Sequence, residues 1–280
     1  MNPFSPVRPS PIAGSWYSAN PNVLRDQING YLDQAASTAV VDEVVGLIAP
    51  HAGYYYSGLT AAHAYNCVRG RQYDVCVIFS PLHEYLPYNL LTSAYEAYAT
   101  PLGRVKVDGD LLAACSAGLQ KTCGETLKPI ANDSEHSLEI QLPFLQTVLG
   151  SPFTLLPIMV RSHDPLLLEM AAQAIAEVLR GQKALLVAST DLSHFYSEAE
   201  AAQLDDHMLT HMATFSPGGV LRAEQSGEGF ACGAGAVALM LWTCQCLGAR
   251  QVTLLHQSTS ADATGESQRV VGYGALAVTR

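Results

Sequence analysis

The chain has 280 residues, of which 49% are hydrophobic and 14% are charged, and its formal net charge is −10. This apolar content is enough for a sizeable core and argues against a disordered chain. The negative net charge disfavours nucleic acids and anionic membranes as partners, because both are themselves negatively charged. Seven cysteines, an odd number without regular spacing, are typical of reduced thiols rather than of a disulfide framework.

The N-terminal segment, residues 1–20, is rich in proline and is predicted to form an extended arm that packs through Trp16 and Tyr17. It lacks the apolar stretch of a signal peptide. The longest nearly apolar run, residues 230–242, is interrupted by glycine and cysteine and is too short to span a bilayer. We therefore expect a cytoplasmic protein without a membrane partner.

Helical spacing of apolar residues predicts a first helix over residues 21–35. The elements predicted after it are, in chain order, a strand at 44–49, a helix at about 57–67, strands at 75–80 and about 90–98, helices at about 108–119 and 136–149, a strand at 153–160, a helix at 165–180, a strand at 184–189, helices at 198–213 and 232–247, and strands at 252–258 and 271–278. No repeat or charged linker divides the chain, so we expect one domain over residues 1–280.

The strands at 44–49, 75–80 and 184–189 are apolar throughout rather than alternating, which indicates strands that are buried on both faces. Their alternation with helices predicts an α/β fold, in which helices cover both faces of a central sheet that is largely parallel or mixed. In such sheets, ligands bind beyond the carboxyl ends of the strands.

Each of these three strands is followed within a few residues by a histidine. His51 follows the first strand, His83 the second, and the pair Asp191 and His194 the third. A single histidine in such a position is more often an ordinary loop residue, but three at equivalent points favour a shared site. We therefore expect these side chains to converge on one edge of the sheet.

The segment DSEHSLEIQLPF, residues 133–144, contains two further candidates. His136 and Glu139 are three positions apart, so on a helix they would share a face and address one site together. An equally good interpretation is that both are ordinary polar residues of a first helical turn, where acidic groups lie near the positive end of the dipole.

The segments TDLSHFY and GFACGAGAVALML contain the remaining candidates. Asp191 would orient His194 or stabilise its imidazolium, which makes the pair a candidate acid/base unit. The alternative is a helix-capping aspartate beside a surface histidine. Cys232 lies at the beginning of an apolar helix, whose amide dipoles would favour a thiolate that acts as a ligand or nucleophile. The alternative for Cys232 is a small core residue among glycines that allow close packing.

Six short segments stand out in chain order, namely AGSWY at 13–17, APHAGYYYSG at 49–58, SPLHEY at 80–85, EHSLEIQLPF at 135–144, STDLSH at 189–194 and ACGAGA at 231–236. Together they resemble the Memo-like family, whose bacterial and archaeal members are called AmmeMemoRadiSam system protein B. The resemblance runs from about residue 8 to the C-terminus. It implies a fold like that of the LigB-type class III extradiol dioxygenases, which use non-haem Fe(II).

The resemblance also implies roles for the candidate residues. Metal-binding members of the family use two histidines that follow strands, together with a cysteine, as ligands. Carried over by motif, these ligands are His51, His83 and Cys232. Asp191 would orient His194, and His194 would act as the acid/base.

His136 and Glu139 match a family block that is expected near the same pocket, and they are candidates for a catalytic role. One departure is Glu84, where many relatives have a second histidine. Another is that the dioxygenases use a carboxylate as their third ligand, whereas Cys232 is a softer donor that also suits Zn or Cu(I). Fe(II) is the metal that we expect, and Zn or Cu are the alternatives.

Three hypotheses for the function follow. The leading one is a non-haem iron-dependent oxidoreductase, similar to a dioxygenase, that acts on a small molecule. The second is a metal-dependent hydrolase in which Zn activates water and His194 or Glu139 is the general base. The third is a non-catalytic module that binds a peptide in the same pocket. The resemblance also implies a functional link to radical-SAM and AMMECR-type proteins, and the apolar helices would permit a homodimer.

Overall fold

The computed structural model describes residues 6–35 and 42–280 of the chain. Residues 1–5 of the predicted N-terminal arm lie outside this description. In the described ranges, no helix combines the length and the apolar character that crossing a bilayer requires.

The N-terminal half contains β1 (Val7–Arg8), α1 (Pro21–Gln34), β2 (Val44–Ala49), α2 (Tyr54–Asn66), β3 (Val75–Pro81), β4 (Leu90–Ser93), β5 (Ala97–Thr100), β6 (Gly103–Lys106), α3 (Gly109–Cys123), β7 (Lys128–Ile130) and a 3₁₀ helix (Glu139–Gln141). The C-terminal half contains α4 (Leu142–Val148), β8 (Thr154–Val160), α5 (Pro165–Leu179), β9 (Ala184–Ser189), β10 (His194–Tyr196), α6 (Glu198–Ala213), α7 (Pro217–Ser226), α8 (Ala234–Cys246), β11 (Gln251–Thr259), α9 (Ala261–Thr264) and β12 (Val270–Thr279).

The main sheet has the strand order β10-β12-β2-β9-β3-β8-β4-β7, and β11 pairs with β12 on its other side. The four central strands, β2, β9, β3 and β8, are parallel neighbours. Strands β12 and β4 flank them in the antiparallel direction. The chain is therefore a mixed α/β fold with a parallel centre, as the sequence predicts. A separate small sheet has the order β1-β5-β6.

Two apolar cores fill the faces of the main sheet. One lies beneath α3, α5, α6, α7 and α8, and the other lies beneath α1, α2 and α4. The central strands contribute buried side chains to both cores, which explains why their sequences are apolar throughout. The prediction that helices cover both faces is confirmed.

Two sequence predictions of local structure are wrong. The strand predicted at about 90–98 is two strands, β4 and β5, which belong to different sheets. The helix predicted at 136–149 begins only at Leu142, after the short 3₁₀ helix. The reason is that the side chain of Glu135 accepts hydrogen bonds from the amides of His136 and Ser137, which favours an irregular backbone at this point.

Candidate metal centre

The candidate site lies at the carboxyl ends of three neighbouring strands. Strand β9 lies between β2 and β3, and all three are parallel, so their carboxyl ends open on the same edge of the sheet. His51 follows β2, His83 follows β3 and Asp191 follows β9. The rings of His51 and His83 are 5.3 Å apart between centroids and are nearly perpendicular. The topology therefore brings these side chains to one place.

A third histidine completes a cluster with potential metal ligands. His136, from the loop before the 3₁₀ helix, stacks on His83 with ring centroids 4.8 Å apart and an interplanar angle of 12°. Each of the three histidines offers a nitrogen atom, and these atoms lie within 4.8 Å of one another. His51 and His136 are neutral at physiological pH, because burial and the neighbouring imidazoles lower the pKa of His51 to about 3 and that of His136 to about 4.

A buried hydrogen-bond network fixes the tautomer of His51. Ser189 Oγ donates its only proton to the Ser137 carbonyl at 2.6 Å and accepts a hydrogen bond from Gln141 Nε2 at 2.7 Å. It can therefore only accept from Nδ1 of His51, which is 3.0 Å away. The amide of Gln141 is itself oriented by Tyr65, whose hydroxyl donates to Oε1 at 2.7 Å. Nε2 of His51 is consequently unprotonated and available as a ligand.

Glu135 orients the ring of His83 in the same way. Its carboxylate accepts from Nδ1 of His83 at 3.0 Å and from the His83 amide at 2.7 Å. Burial would raise the pKa of Glu135, but hydrogen bonds from His83 and Ser137 outweigh it and hold this pKa well below its usual range. The hydrogen bond to Glu135 also raises the pKa of His83. A histidine that donates a hydrogen bond from one ring nitrogen to a carboxylate can bind a metal through the other, an arrangement common in metalloproteins.

Cys232 lies beside His51, with its Sγ atom 3.1 Å from Nε2 of that ring. Because Nε2 is unprotonated, the thiol is the donor in this contact. The interpretation of the sequence, in which the helix favours a Cys232 thiolate, is wrong. Burial and the nearby Asp191 carboxylate raise the pKa of Cys232 instead. Helix α8 begins only at Ala234, two residues after Cys232.

Asp191 and His194 flank the cluster without forming the expected hydrogen bond. Oδ1 of Asp191 accepts from the amides of His51 and Ala52, at 2.7 and 3.3 Å, and so holds the turn after β2. Nδ1 of His194 donates to the Leu192 carbonyl at 2.8 Å. The main chain therefore orients His194 and leaves its Nε2 free to accept a proton.

The site opens into a cavity of about 630 Å³. Five of the sequence-predicted residues line it, namely His51, His83, His136, Asp191 and His194. Aromatic side chains form much of the remaining wall, including Trp16, Tyr56, Phe195 and Tyr273, and Arg269 brings a positive charge. The ring of Trp16, from the N-terminal arm, contacts that of His136 at a centroid distance of 4.1 Å.

The family of the chain follows from comparison with known proteins. A model of the Memo-like protein family matches residues 8–277. The chain belongs to the Memo-like protein family. Its relatives include a MEMO1 family protein of Methanococcoides burtonii, which is 32% identical over 97% of this chain and 100% of its own length. A relative from Methanopyrus kandleri is 30% identical, and one from Nitrosopumilus maritimus is 29% identical, each over 96% of this chain and 98% of its own length.

Among solved structures, this Memo-like chain is similar to the crystal structure of uncharacterized protein JW3007 from Escherichia coli K12. The TM-score is 0.41 and the sequence identity is 11%, over 83% of this chain and 99% of that one.

Glu139 of the Memo-like chain lies apart from the cavity lining. It is fully buried beneath the N-terminal arm, where it accepts hydrogen bonds from Arg8 Nη1 and the Tyr17 hydroxyl, both at 2.6 Å, and from the Ser10 hydroxyl. Burial raises the pKa of Glu139 despite these partners. Glu139 therefore anchors the arm that brings Trp16 to the site. It does not share an accessible face with His136.

Sequence reasoning missed the residues that orient the histidines, namely Glu135, Gln141 and Ser189. Glu135 was visible as the acidic neighbour of His136 in the segment EHS, and Ser189 as the last residue of an otherwise apolar strand. A polar residue at the carboxyl end of a fully buried strand is the signal that would have identified Ser189.

Proposed function

We propose that the pocket binds an Fe(II) ion and carries out an oxidoreductase reaction on a small molecule, with O₂ as the oxidant. His51, His83 and His136 would hold the metal, with the sulfur of Cys232 as a further donor. The single observation that carries the proposal is the group of three histidine nitrogens that lie within 4.8 Å of one another, on side chains that line one cavity.

The donor atoms meet the requirements of a metal ligand set. Ligands must be deprotonated. The lowered pKa values of His51 and His136 favour their neutral rings, whereas the raised pKa values of His83 and Cys232 mean that a metal would compete with a proton at these two ligands. Cys232 would release the proton that its thiol shares with His51. Imidazole with sulfur suits iron, zinc and copper alike. The choice of Fe(II) rests on the resemblance to the Memo-like family, which implies a fold like that of the class III extradiol dioxygenases.

When bound, Fe(II) would supply the one-electron and O₂ chemistry of the reaction. The protein supplies orientation and proton transfer. His194 is the proposed general base, because its Nδ1 is engaged by the Leu192 carbonyl and its Nε2 is free to accept a proton from a substrate hydroxyl. Trp16 and Tyr56 would exclude water from one side of the substrate, and Arg269 would attract an anionic group on it.

The experiment compares Fe(II)-loaded and Zn(II)-loaded protein on a panel of catechols and esters, with and without O₂. We expect turnover only with Fe(II), O₂ and a catechol-like substrate. His194→Gln should lower kcat by about 10²–10⁴-fold while the bound metal is retained. Ester hydrolysis by the zinc protein without O₂ would favour the hydrolase instead. Peptide binding that survives loss of all the ligands, without any turnover, would favour a binding module.

Three further expectations stay predictions from the sequence. They are the cytoplasmic location, the functional link to radical-SAM and AMMECR-type proteins, and the homodimer. Size-exclusion chromatography with light scattering measures the last of these directly.

A further inference from the structure

A second group of metal-ligating side chains lies on helix α6, away from the cavity. His207 and His211 are four positions apart, so their side chains share one face of the helix. Their rings are tilted by 70°, and the two Nε2 atoms face each other at 3.3 Å. Two imidazole nitrogens bound to one tetrahedral ion at roughly 2.0–2.1 Å would be about 3.4 Å apart. The pair is therefore spaced for a shared cation.

A carboxylate lies next to the His207 ring of this pair. Oε2 of Glu228, in the segment between α7 and α8, is 3.7 Å from Nε2 of His207. Both side chains are accessible, with 43% of His207 and 67% of Glu228 exposed to solvent. Arg222 brings a positive charge near His211, and the negative charge of Glu228 opposes its effect on this ring.

The ring of His211 is held in place by close packing against α7. A Cβ atom at Gly219 would lie only 2.4 Å from Nδ1 of His211, so only glycine allows the ring this position. The nitrogen that faces His207 is thereby fixed. A direct hydrogen bond between the two rings would also explain their distance. The Ser226 hydroxyl donates to Oε2 of Glu228 at 3.1 Å and so holds this carboxylate beside His207.

We propose that His207, His211 and Glu228 bind a divalent cation of the Zn²⁺ type, for which two imidazoles and a carboxylate are suitable ligands. Glu228 precedes Cys232 by four positions, and the intervening Phe230 stacks on Tyr196 at a centroid distance of 5.7 Å. The ion would connect α6 to the segment that delivers the Cys232 thiol to the central site. This second site does not depend on the function proposed for the cavity.

Calorimetric titration of the full chain with Zn²⁺ tests the proposal. The wild type should bind one Zn²⁺ more than the double variant His207→Ala/His211→Ala. The matched control is His63→Ala/His256→Ala, which removes another histidine pair whose rings are stacked in parallel at 4.1 Å and 7°. This control should bind as many Zn²⁺ ions as the wild type.

Glu228→Gln is a second variant that leaves the helix untouched. Because Glu228 is exposed, this variant should fold like the wild type. We expect its Zn²⁺ affinity at this site to fall by about 10-fold or more, because a neutral amide replaces the carboxylate ligand. A double variant with the same number of bound Zn²⁺ ions and the same affinities as the wild type would overturn the proposal. If the double variant does not fold, an unchanged Zn²⁺ affinity in Glu228→Gln would overturn it equally.

Discussion

Replacement of Ser189 by alanine tests whether the network behind His51 prepares this ring for a metal. The Ser189 hydroxyl is fully buried and takes part in three hydrogen bonds, with His51, Ser137 and Gln141. Ser189→Ala leaves the Nδ1–H of His51, the Ser137 carbonyl and one amide proton of Gln141 without this partner. A buried group that loses its partner costs about 1–3 kcal/mol.

The expected loss in the free energy of unfolding is therefore at least about 3 kcal/mol, at the lower limit of about 1 kcal/mol for each of three groups. Metal affinity should fall by about 10–100-fold, because the ring of His51 loses the contact that sets its tautomer and orientation. Urea denaturation measures the first quantity, and Fe(II) titration under anaerobic conditions measures the second.

Ser80→Ala is the matched control, on the neighbouring strand β3. Ser80 is also fully buried, but its hydroxyl has no hydrogen-bond partner among the described residues. Its removal should leave the stability unchanged or slightly higher, and the metal affinity unchanged. The reasoning is refuted if Ser189→Ala binds Fe(II) as tightly as the wild type, or if both variants lose the same stability.

Three further predictions concern charged and titratable groups. Glu135→Gln should weaken metal binding by about 10–100-fold in the same titration, because an amide orients His83 less firmly than a carboxylate. Arg8→Met should lower the free energy of unfolding by about 3–5 kcal/mol in urea, since it leaves two buried carboxylates without their cation. The free energy of unfolding should also fall as the pH is lowered from 6.5 towards 4, because the unfolded chain then binds protons that folded His136, with its pKa of about 4, does not. His136→Gln should flatten this dependence.

Each of these predictions has a matched control. Glu84→Gln changes an exposed acid beside His83 and should leave metal binding intact. Arg69→Met removes an exposed ion pair and should cost about 0–1 kcal/mol. His163→Gln changes an exposed histidine and should leave the pH dependence as steep as in the wild type. Equal effects in a variant and its control would contradict the corresponding prediction.

The sequence predicts the parts of the fold that depend on local pattern. Strands β2 and β9 begin and end as predicted, because a continuous apolar run of six residues, bounded by charged or polar residues or by proline, favours a short buried strand over a longer helix. The convergence of His51 and His83 followed from topology, since parallel strands place their carboxyl ends together. Helix α7 was not predicted, because Gly218 and Gly219 lower the helix propensity of its first turn.

The details of the site depend on contacts between residues that are distant in the chain. Glu139 binds Arg8, which is 131 positions away. No local pattern in the sequence reveals that this pairing keeps Glu139 out of the cavity lining. Likewise, the pKa of Cys232 is raised by burial and by Asp191, which is 41 positions away. The position of Cys232 in the sequence suggested a lowered pKa, because it shows the nearby helix but not the burial of the thiol in the folded protein.

The metal content of protein purified from iron-replete cells tests the central claim most directly. We predict close to one equivalent of iron in the wild type and in the His163→Ala control, and almost none in His51→Ala. Substoichiometric metal that is the same in the wild type and in His51→Ala would contradict the account.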